Sequence, residues 1–285
     1  MKTVVVLGAL GMAGHIMAEY LNDTGEYNVL GVARSPGQGV SRVLDVLDFD
    51  SLEIFIKESK ADIVVNCIGV LVSASNSDIS KAILINSYLP HFLSDLASRL
   101  NFKFIHISTD CVFSGKEGGY TEQSFRDGDD NYARTKALGE VAAKNSMTLR
   151  TSIIGPELKS NGTGLMDWFF KQSGEISGYS KAYWSGVTTL ELAKVTHAVV
   201  QQNIMGILQI CPQEKISKFE LLKLFNDIWK RDCTINVNED YSVDKSLISI
   251  RDDFSYSVPD YKEMLGDMEG WTAEHSQYYP HYKLK

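Results

Sequence analysis

Short apolar runs alternate with amphipathic stretches through the first half of this 285-residue chain. Residues 3–7, 27–33, 63–68, 102–108 and 147–151 are of strand length and rich in Val, Ile and Leu. Nearly continuous apolar strands belong inside a parallel sheet, where both faces are covered. Between them, residues 15–21, 51–59, 80–100 and 132–143 carry apolar side chains at helical spacing. This alternation predicts an α/β fold, a doubly wound parallel sheet with helices on both faces. After Pro156 the pattern loosens. Residues 159–163 read as a loop, 165–170 and 190–203 as helices, and 206–211 as a strand returning to the main sheet. From Pro212 one helix, 218–229, is followed by short aromatic-rich segments. The chain therefore divides into a main portion, 1–155 with 186–211, and a smaller mixed lobe, 156–185 with 212–285.

The first strand runs into Gly8, Gly11 and Gly14, and a helical run follows. A glycine turn between strand and helix lets backbone approach a pyrophosphate, which meets free N–H groups and the positive end of the helix. That is the Rossmann arrangement for a nicotinamide dinucleotide. Lys2 and the apolar run after it also have the look of a secretory leader. The run is short, however, and no clear cleavage site follows, so the segment is read as a strand. The second strand ends at Arg34 and Ser35, where NAD enzymes favour an acidic residue against the ribose 2′-hydroxyl. Arginine and serine suit a 2′-phosphate, so NADP(H) is expected, with NAD(H) as the second choice.

Charge narrows the partners. A net charge of −8 argues against nucleic acid, which needs a basic face, and no apolar run reaches membrane-spanning length. Cys67, Cys111, Cys211 and Cys233 are widely spaced and read as reduced thiols of a cytoplasmic protein. The six histidines show no metal-ligand spacing, so no metal is expected. An anionic substrate would need a local cation. Arg251, between Ile248-Ser249-Ile250 and Asp252-Asp253, is the candidate.

Two segments carry chemistry. Tyr132 and Lys136 are four apart and share one face of a helix. A nearby ammonium lowers a phenol's pKa, and such a phenol can protonate an alkoxide as hydride reaches a carbonyl carbon. In Ser108-Thr109-Asp110-Cys111-Val112-Phe113-Ser114-Gly115 a strand delivers hydroxyls at its carboxyl end. There a hydroxyl can stabilise charge developing on a carbonyl oxygen, although a Ser-Thr-Asp turn or helix cap uses the same residues.

With these motifs the chain resembles the extended short-chain dehydrogenases, whose G-x-x-G-x-x-G spacing it has. Within them it resembles the dTDP-4-dehydrorhamnose reductase family of sugar-nucleotide 4-ketoreductases. The family's Ser-Thr-Asp-Tyr-Val-Phe-x-Gly appears from Ser108 to Gly115 and its Tyr-x-x-x-Lys as Tyr132 and Lys136, followed by Ala137-Leu138-Gly139-Glu140. Its Arg-Thr-Ser appears as Arg150-Thr151-Ser152. The resemblance implies NADPH-dependent reduction of the 4-keto group of a deoxysugar nucleotide, in making sugars for surface polysaccharides. It implies a catalytic set of Thr109, Tyr132 and Lys136, with Lys136 also on the nicotinamide ribose. Gly8, Leu10, Gly11, Met12 and Gly14 would cradle the pyrophosphate, and Asp45 and Val46 would hold the adenine. Cys67, Ile68 and Gly69 would line the cofactor, with Asn86 nearby. Leu71, Ser108, Cys111, Ile153 and Trp184 would face the substrate, and a homodimer is a candidate assembly.

The sequence also departs from the family. Cys111 replaces a tyrosine beside the sugar, Val70-Leu71-Val72 replaces a more polar turn, and Ile153 stands where tryptophan is frequent. A thiol lacks a phenol's reach and hydrogen bond. The sugar is thus left open, with UDP- or GDP-linked and N-acetylated 4-keto sugars beside the dTDP-linked one. A sugar-nucleotide epimerase and a non-catalytic dinucleotide-binding regulatory subunit are the alternatives. Asp110 would suit a dehydratase, but Cys111 stands where that chemistry has glutamate.

Overall fold

The computed structural model describes residues 1–282. Twelve strands occur among them: β1 (Lys2–Leu7), β2 (Tyr27–Ala33), β3 (Arg42–Val43), β4 (Ile63–Asn66), β5 (Lys103–Ser108), β6 (Ser146–Arg150), β7 (Ile153–Ile154), β8 (Gly174–Trp184), β9 (Val187–Thr188), β10 (Gly206–Gln209), β11 (Ile216–Ser217) and β12 (Cys233–Asp244). Seven form the main sheet in the order β10-β6-β5-β4-β1-β2-β3. Every pairing in it is parallel. The doubly wound expectation is met, and the returning strand at 206–209 takes the far edge.

Side-chain alternation explains why both faces are covered. Val4 and Val6 of β1 enter one apolar cluster, whereas Val5 and Leu7 enter the other. Likewise Ile105 and Ile107 of β5 face one side and Phe104 the opposite side. Ile16 and Met17 of helix Met12–Asp23 and Leu192 and Val195 of helix Thr189–Gln201 cover the first face. Leu52 and Ile56 of helix Phe49–Ser59 and Leu93 and Leu96 of helix Leu89–Leu100 cover the second. Each such buried Leu or Ile contributes about 1.5–3 kcal/mol of burial free energy.

The expected helix 80–100 is interrupted. Short helices Val72–Ser77 and Ile79–Ala82 lead into a π-helical turn, Ile83–Tyr88, before Leu89–Leu100 begins with Pro90 in its first turn. The helix expected at 132–143 spans Asn131–Leu138; Asp130 caps it by accepting from the Ala133 N–H at 2.7 Å, and Gly139 ends it.

The second sheet, β11-β8-β12, is mixed: β12 runs parallel to β8 and β11 antiparallel to it. Helix Lys218–Ile228 packs on it, started by a reciprocal capping box between Ser217 and Glu220. One apolar cluster runs from Val4 and Ile16 through Phe169, Trp184 and Phe225 to Trp271, so sheet and lobe share a core.

Candidate active site

The strand order reverses between β1 and β4, and ligands of such sheets sit in the crevice at the carboxyl ends there. Three loops converge at that place: Gly8–Gly14 after β1, Cys67–Gly69 after β4 and Thr109–Val112 after β5. Gly8 has φ +87°, a left-handed conformation that favours glycine. Its N–H and that of Ala9 donate to the Val32 carbonyl at 2.9 and 3.0 Å. At Gly14 a Cβ would lie 2.1 Å from the Gly8 carbonyl oxygen, so helix and turn touch through backbone alone. Gly11 caps helix Met12–Asp23 without any side-chain hydrogen bond. The first-turn N–H groups thus have no protein side chain as acceptor, which fits a dinucleotide pyrophosphate.

Arg34 and Ser35 are exposed just beyond β2. Asp45 is exposed and Val46 buried, in a loop pinned by the Leu44 N–H on the Ala33 carbonyl at 2.9 Å. Gly69 is exposed, with only the Asn86 Oδ1 near its would-be Cβ, at 3.7 Å. Asn86 itself is fully buried in the π-helical turn. Its Oδ1 accepts from the Val70 N–H at 2.8 Å, and its Nδ2 donates to the Val70 carbonyl and to Thr135 at 3.0 and 3.1 Å. Asn86 therefore ties the Cys67–Val70 loop to the helix bearing Tyr132, and its amide is engaged by protein.

Thr109 directly follows β5 and caps the turn Asp110–Val112: its Oγ1 accepts from the Cys111 N–H and donates to Asp110 Oδ1, both at 3.1 Å. The cap and the expected catalytic position thus coincide in one residue. Burial pushes the Tyr132 phenol above its ordinary value; Cys111, Asp110 and Asp130 push the same way, and the Thr109 hydroxyl pulls against them. The expected lowering by Lys136 is not what governs Tyr132. Lys136 Nζ is turned to the Ile107 carbonyl at 2.7 Å and to His106 Nε2 at 3.1 Å. A phenol held protonated can give up a proton, and that is the state a reductase needs. Burial likewise pushes the Cys111 thiol up to about 12, with Asp110 adding to it, so Cys111 stays a thiol.

Several expected substrate residues have other partners. Ser108 is buried and donates to Glu140 Oε1 at 2.8 Å, on the side of β5 opposite Thr109. Glu140 also takes Arg150 Nε and Nη2 at 2.8 and 2.7 Å and Arg126 Nη1 at 3.0 Å. Ser108 therefore belongs to the buried support of the site. Arg251 spends its Nε and Nη2 on Asp253, both at 2.6 Å, and its Nη1 on the Met205 and Ile207 carbonyls at 3.0 and 2.8 Å. It caps the edge strand β10 and lines a cavity of about 600 Å³ with Cys211, Leu247 and Tyr256, a cavity that Thr109, Tyr132 and Lys136 do not line. The expected diphosphate clamp falls away. Trp184 is buried, with Lys218 Nζ 4.7 Å from its ring, and Ile153 pairs with Val187 in the β7–β9 ribbon. Leu71 is exposed at the start of helix Val72–Ser77.

Sequence reasoning missed Lys218, Lys245 and His106. Burial brings Lys218 down to about 8 against the pull of the Asp110 carboxylate, while Lys245 stays above its ordinary value because that carboxylate helps outweigh its burial, so the two lysines lie towards the Thr109 turn from the lobe. Isolated lysines carry no sequence signal. His106 sits two residues before Ser108 in β5, on the same face as Ser108, and strand alternation would have found it.

A Rossmann-type sheet, a glycine turn with an uncapped helix start, and a Tyr-x-x-x-Lys helix beside a strand-end threonine define a protein of the extended short-chain dehydrogenase class. The model of the RmlD substrate binding domain matches residues 1–238, and the chain belongs to that family. A dTDP-4-dehydrorhamnose reductase of Aggregatibacter actinomycetemcomitans is 30% identical over 158 residues, 53% of this chain and 51% of that protein. The chain thus matches about half the length of this curated relative. The crystal structure of a hypothetical dTDP-4-dehydrorhamnose reductase from Sulfolobus tokodaii superposes with a TM-score of 0.77 at 25% identity, covering 91% of this chain and 98% of that one. The Bacillus anthracis dTDP-4-dehydrorhamnose reductase in complex with NADP gives a TM-score of 0.80 at 20% identity, over 94% and 98% of the two chains. This last likeness is one of fold.

Proposed function

We propose that the protein reduces the 4-keto group of a deoxysugar nucleotide with NADPH. The carrying observation is the Tyr132 phenol, kept protonated by burial next to Thr109 at the carboxyl end of β5. The turn Gly8–Gly14 would take the pyrophosphate on the N–H groups of Leu10, Gly11 and Met12. Arg34 and Ser35 would take the 2′-phosphate, Asp45 and Val46 the adenine, and Cys67, Ile68 and Gly69 the nicotinamide side. Bound there, NADPH supplies a hydride to the carbonyl carbon. Thr109 hydrogen-bonds the carbonyl oxygen, where charge grows as the bond forms. Tyr132 transfers its proton to that oxygen, and the product is the alcohol. Lys136 holds the ribose. Cys111, Leu71, Ile153 and Trp184 shape the sugar side, and Lys218 and Lys245 take over the cationic role once expected of Arg251.

Residues 1–155 with 186–211 form the cofactor portion in this reading, and 156–185 with 212–285 the substrate lobe. Among the described residues no helix is long and apolar enough to cross a membrane. The four cysteines are free thiols, which fits a cytoplasmic setting. Exposed Ile79, Ile83, Leu84, Tyr88 and Leu138 offer an apolar face for a homodimer.

The test is NADPH consumption across dTDP-, UDP- and GDP-linked 4-keto-6-deoxy sugars, with the C4 configuration of each product determined. Oxidation with one nucleotide series supports the reading. No oxidation with any of them overturns it and favours a regulatory dinucleotide-binding role.

A further inference from the structure

The segment after helix Tyr261–Glu274 lies against helix Met12–Asp23, beyond the residues matched to the family. Three of its tyrosines reach three different parts of the chain around the glycine turn. The Tyr278 hydroxyl accepts from Gln38 Nε2 at 2.7 Å, in the loop after β2. The Tyr282 hydroxyl accepts from the Glu157 N–H at 3.0 Å, and Glu157 Oε1 accepts from the Thr163 and Gly164 N–H groups at 2.9 and 2.7 Å. Both of these loops lie on the turn itself: a Cβ at Gly37 would sit 2.8 Å from Leu10 Cδ2, and one at Gly164 would sit 3.4 Å from Met12 Sδ. Between them the Tyr279 hydroxyl lies 2.8 Å from His15 Nε2, and His15 Nδ1 lies 2.8 Å from the Gly11 carbonyl oxygen. His15 and Tyr279 are buried.

The two ends of this line fix where its protons sit. A carbonyl only accepts, so Nδ1 of His15 carries the ring's hydrogen and donates to Gly11. Burial, with His275 adding to it, brings the ring down to about 4 against the pull of the Gly11 carbonyl, so the ring is neutral and Nε2 accepts. Burial pushes the Tyr279 phenol up, so it keeps its proton and donates to Nε2. The Gly11 carbonyl also accepts the first bond of the helix, from the His15 N–H at 3.1 Å. Two donors of one residue thus draw it inwards along the helix. A trans peptide points its C=O and its N–H in opposite directions, so the Met12 N–H of the same peptide is aimed out of the helix start. Gly11 is exposed there, and the cap has no side-chain hydrogen bond.

We infer that Tyr279, acting through His15, is a positioning residue of the dinucleotide site: it holds the imidazole on the Gly11 carbonyl and so keeps the Met12 N–H directed at the pyrophosphate. The inference rests on the reading of Gly8–Gly14 as the pyrophosphate turn. It adds to that turn a contribution from a residue 264 positions further along the chain. Tyr278 and Tyr282 hold the segment in place by tying it to the loops on either side of the turn. Without the Tyr279 hydroxyl, Nε2 loses its donor in a place that water reaches poorly, and the ring is free to turn off the carbonyl.

Fluorescence titration with NADPH reads the effect on binding without any turnover. Tyr279→Phe removes one hydroxyl and keeps the buried ring; it should weaken NADPH about three- to tenfold, the scale of one hydrogen bond. His15→Leu should weaken it at least as much. His15→Asn, whose amide can still donate to the Gly11 carbonyl, should recover most of that loss. Adenosine 2′-phosphate lacks the pyrophosphate, and in competition with NADPH it should bind the parent and all three variants alike. Folded variants that bind NADPH like the parent overturn the inference; so does an equal loss for adenosine 2′-phosphate, which marks a general distortion. Nitrogen-15 NMR of the histidine-labelled parent, with His15→Asn to assign the signal, should show a pyrrole-type Nδ1 and a pyridine-type Nε2 at neutral pH. The opposite tautomer, or an imidazolium, overturns the inference even if no variant folds. A parent that binds neither NADPH nor NADH fails the cofactor reading and the role of Tyr279 with it, whereas a binding parent with unaffected variants fails the role of Tyr279 alone.

Discussion

Replacing Glu140 with Gln removes one negative charge and almost no volume from the most heavily bonded carboxylate of the site. Its Oε1 accepts from Ser108 Oγ and Arg150 Nε, both at 2.8 Å, and its Oε2 from Arg150 Nη2 at 2.7 Å and Arg126 Nη1 at 3.0 Å. A glutamine amide can keep one of these oxygens; the other becomes an NH₂ aimed at a guanidinium. Arg150 is 1% exposed and is left with its charge uncompensated. Breaking a buried pair in this way costs about 3–5 kcal/mol. Arg126 is 40% exposed, and its share is at most about 1 kcal/mol. Urea unfolding at neutral pH, followed by tryptophan fluorescence, should therefore place Glu140→Gln about 3–5 kcal/mol below the parent, out of about 5–15 kcal/mol in total. Arg150→Met should lose less than this, and the double variant should recover part of the loss, because the orphaned charge is gone. The parent should also be acid-sensitive. Burial pushes the Glu140 carboxyl up, but the bonds and charge of Arg150 outweigh it and hold the group below its ordinary value. This stability is fully present above the unfolded value, about 4.3, and is lost as pH falls through the lower folded value. Glu140→Gln should flatten that limb. A loss under about 1 kcal/mol, with the acid limb unchanged, would refute the account of the pair as dry and matched.

Tyr132→Phe should cut kcat by about 10²–10⁴-fold, the usual share of a general acid, while NADPH titration by fluorescence is unchanged; normal turnover would remove the phenol from the mechanism. Arg34→Asp should raise the KM for NADPH by about tenfold or more and spare NADH, because it replaces a partner of the 2′-phosphate with a like charge; equal effects on both cofactors would place Arg34 outside the site. Arg251→Met should lower stability by about 1–3 kcal/mol through the exposed β10 carbonyls, with the KM for the sugar nucleotide unmoved. A KM that rises severalfold without a stability change would restore the substrate role.

The main sheet was legible because its central strands β1 and β4 are almost wholly apolar on both faces, and Val4 to Leu7 could be nothing else once the glycines followed. The lobe was not. β8 buries Ile176, Gly178, Ala182 and Trp184 and leaves most of the residues between them exposed, while β12 is exposed over most of its length. Such strands are held by a neighbour's backbone rather than by their own hydrophobicity, so composition understates them. The proposed catalytic residues were picked out by spacing, yet spacing does not reveal which groups a side chain answers to. Tyr132 and Lys136 share a helix face, and that suggested mutual tuning; packing instead turned the lysine towards β5 and left burial to act on the phenol. Strand periodicity already held part of the correction. If Thr109 faces the crevice, the residue before it cannot, and Ser108 must look with His106 towards the helix that carries Lys136 and ends near Glu140. Arg150 and Arg251 differ for a related reason. Arg150 ends an interior strand and has a buried carboxylate ten residues upstream, whereas Arg251 lies beside an edge strand whose outward carbonyls need donors. Neither arginine is free, and in both cases the demand comes from backbone or charge that burial has left without water.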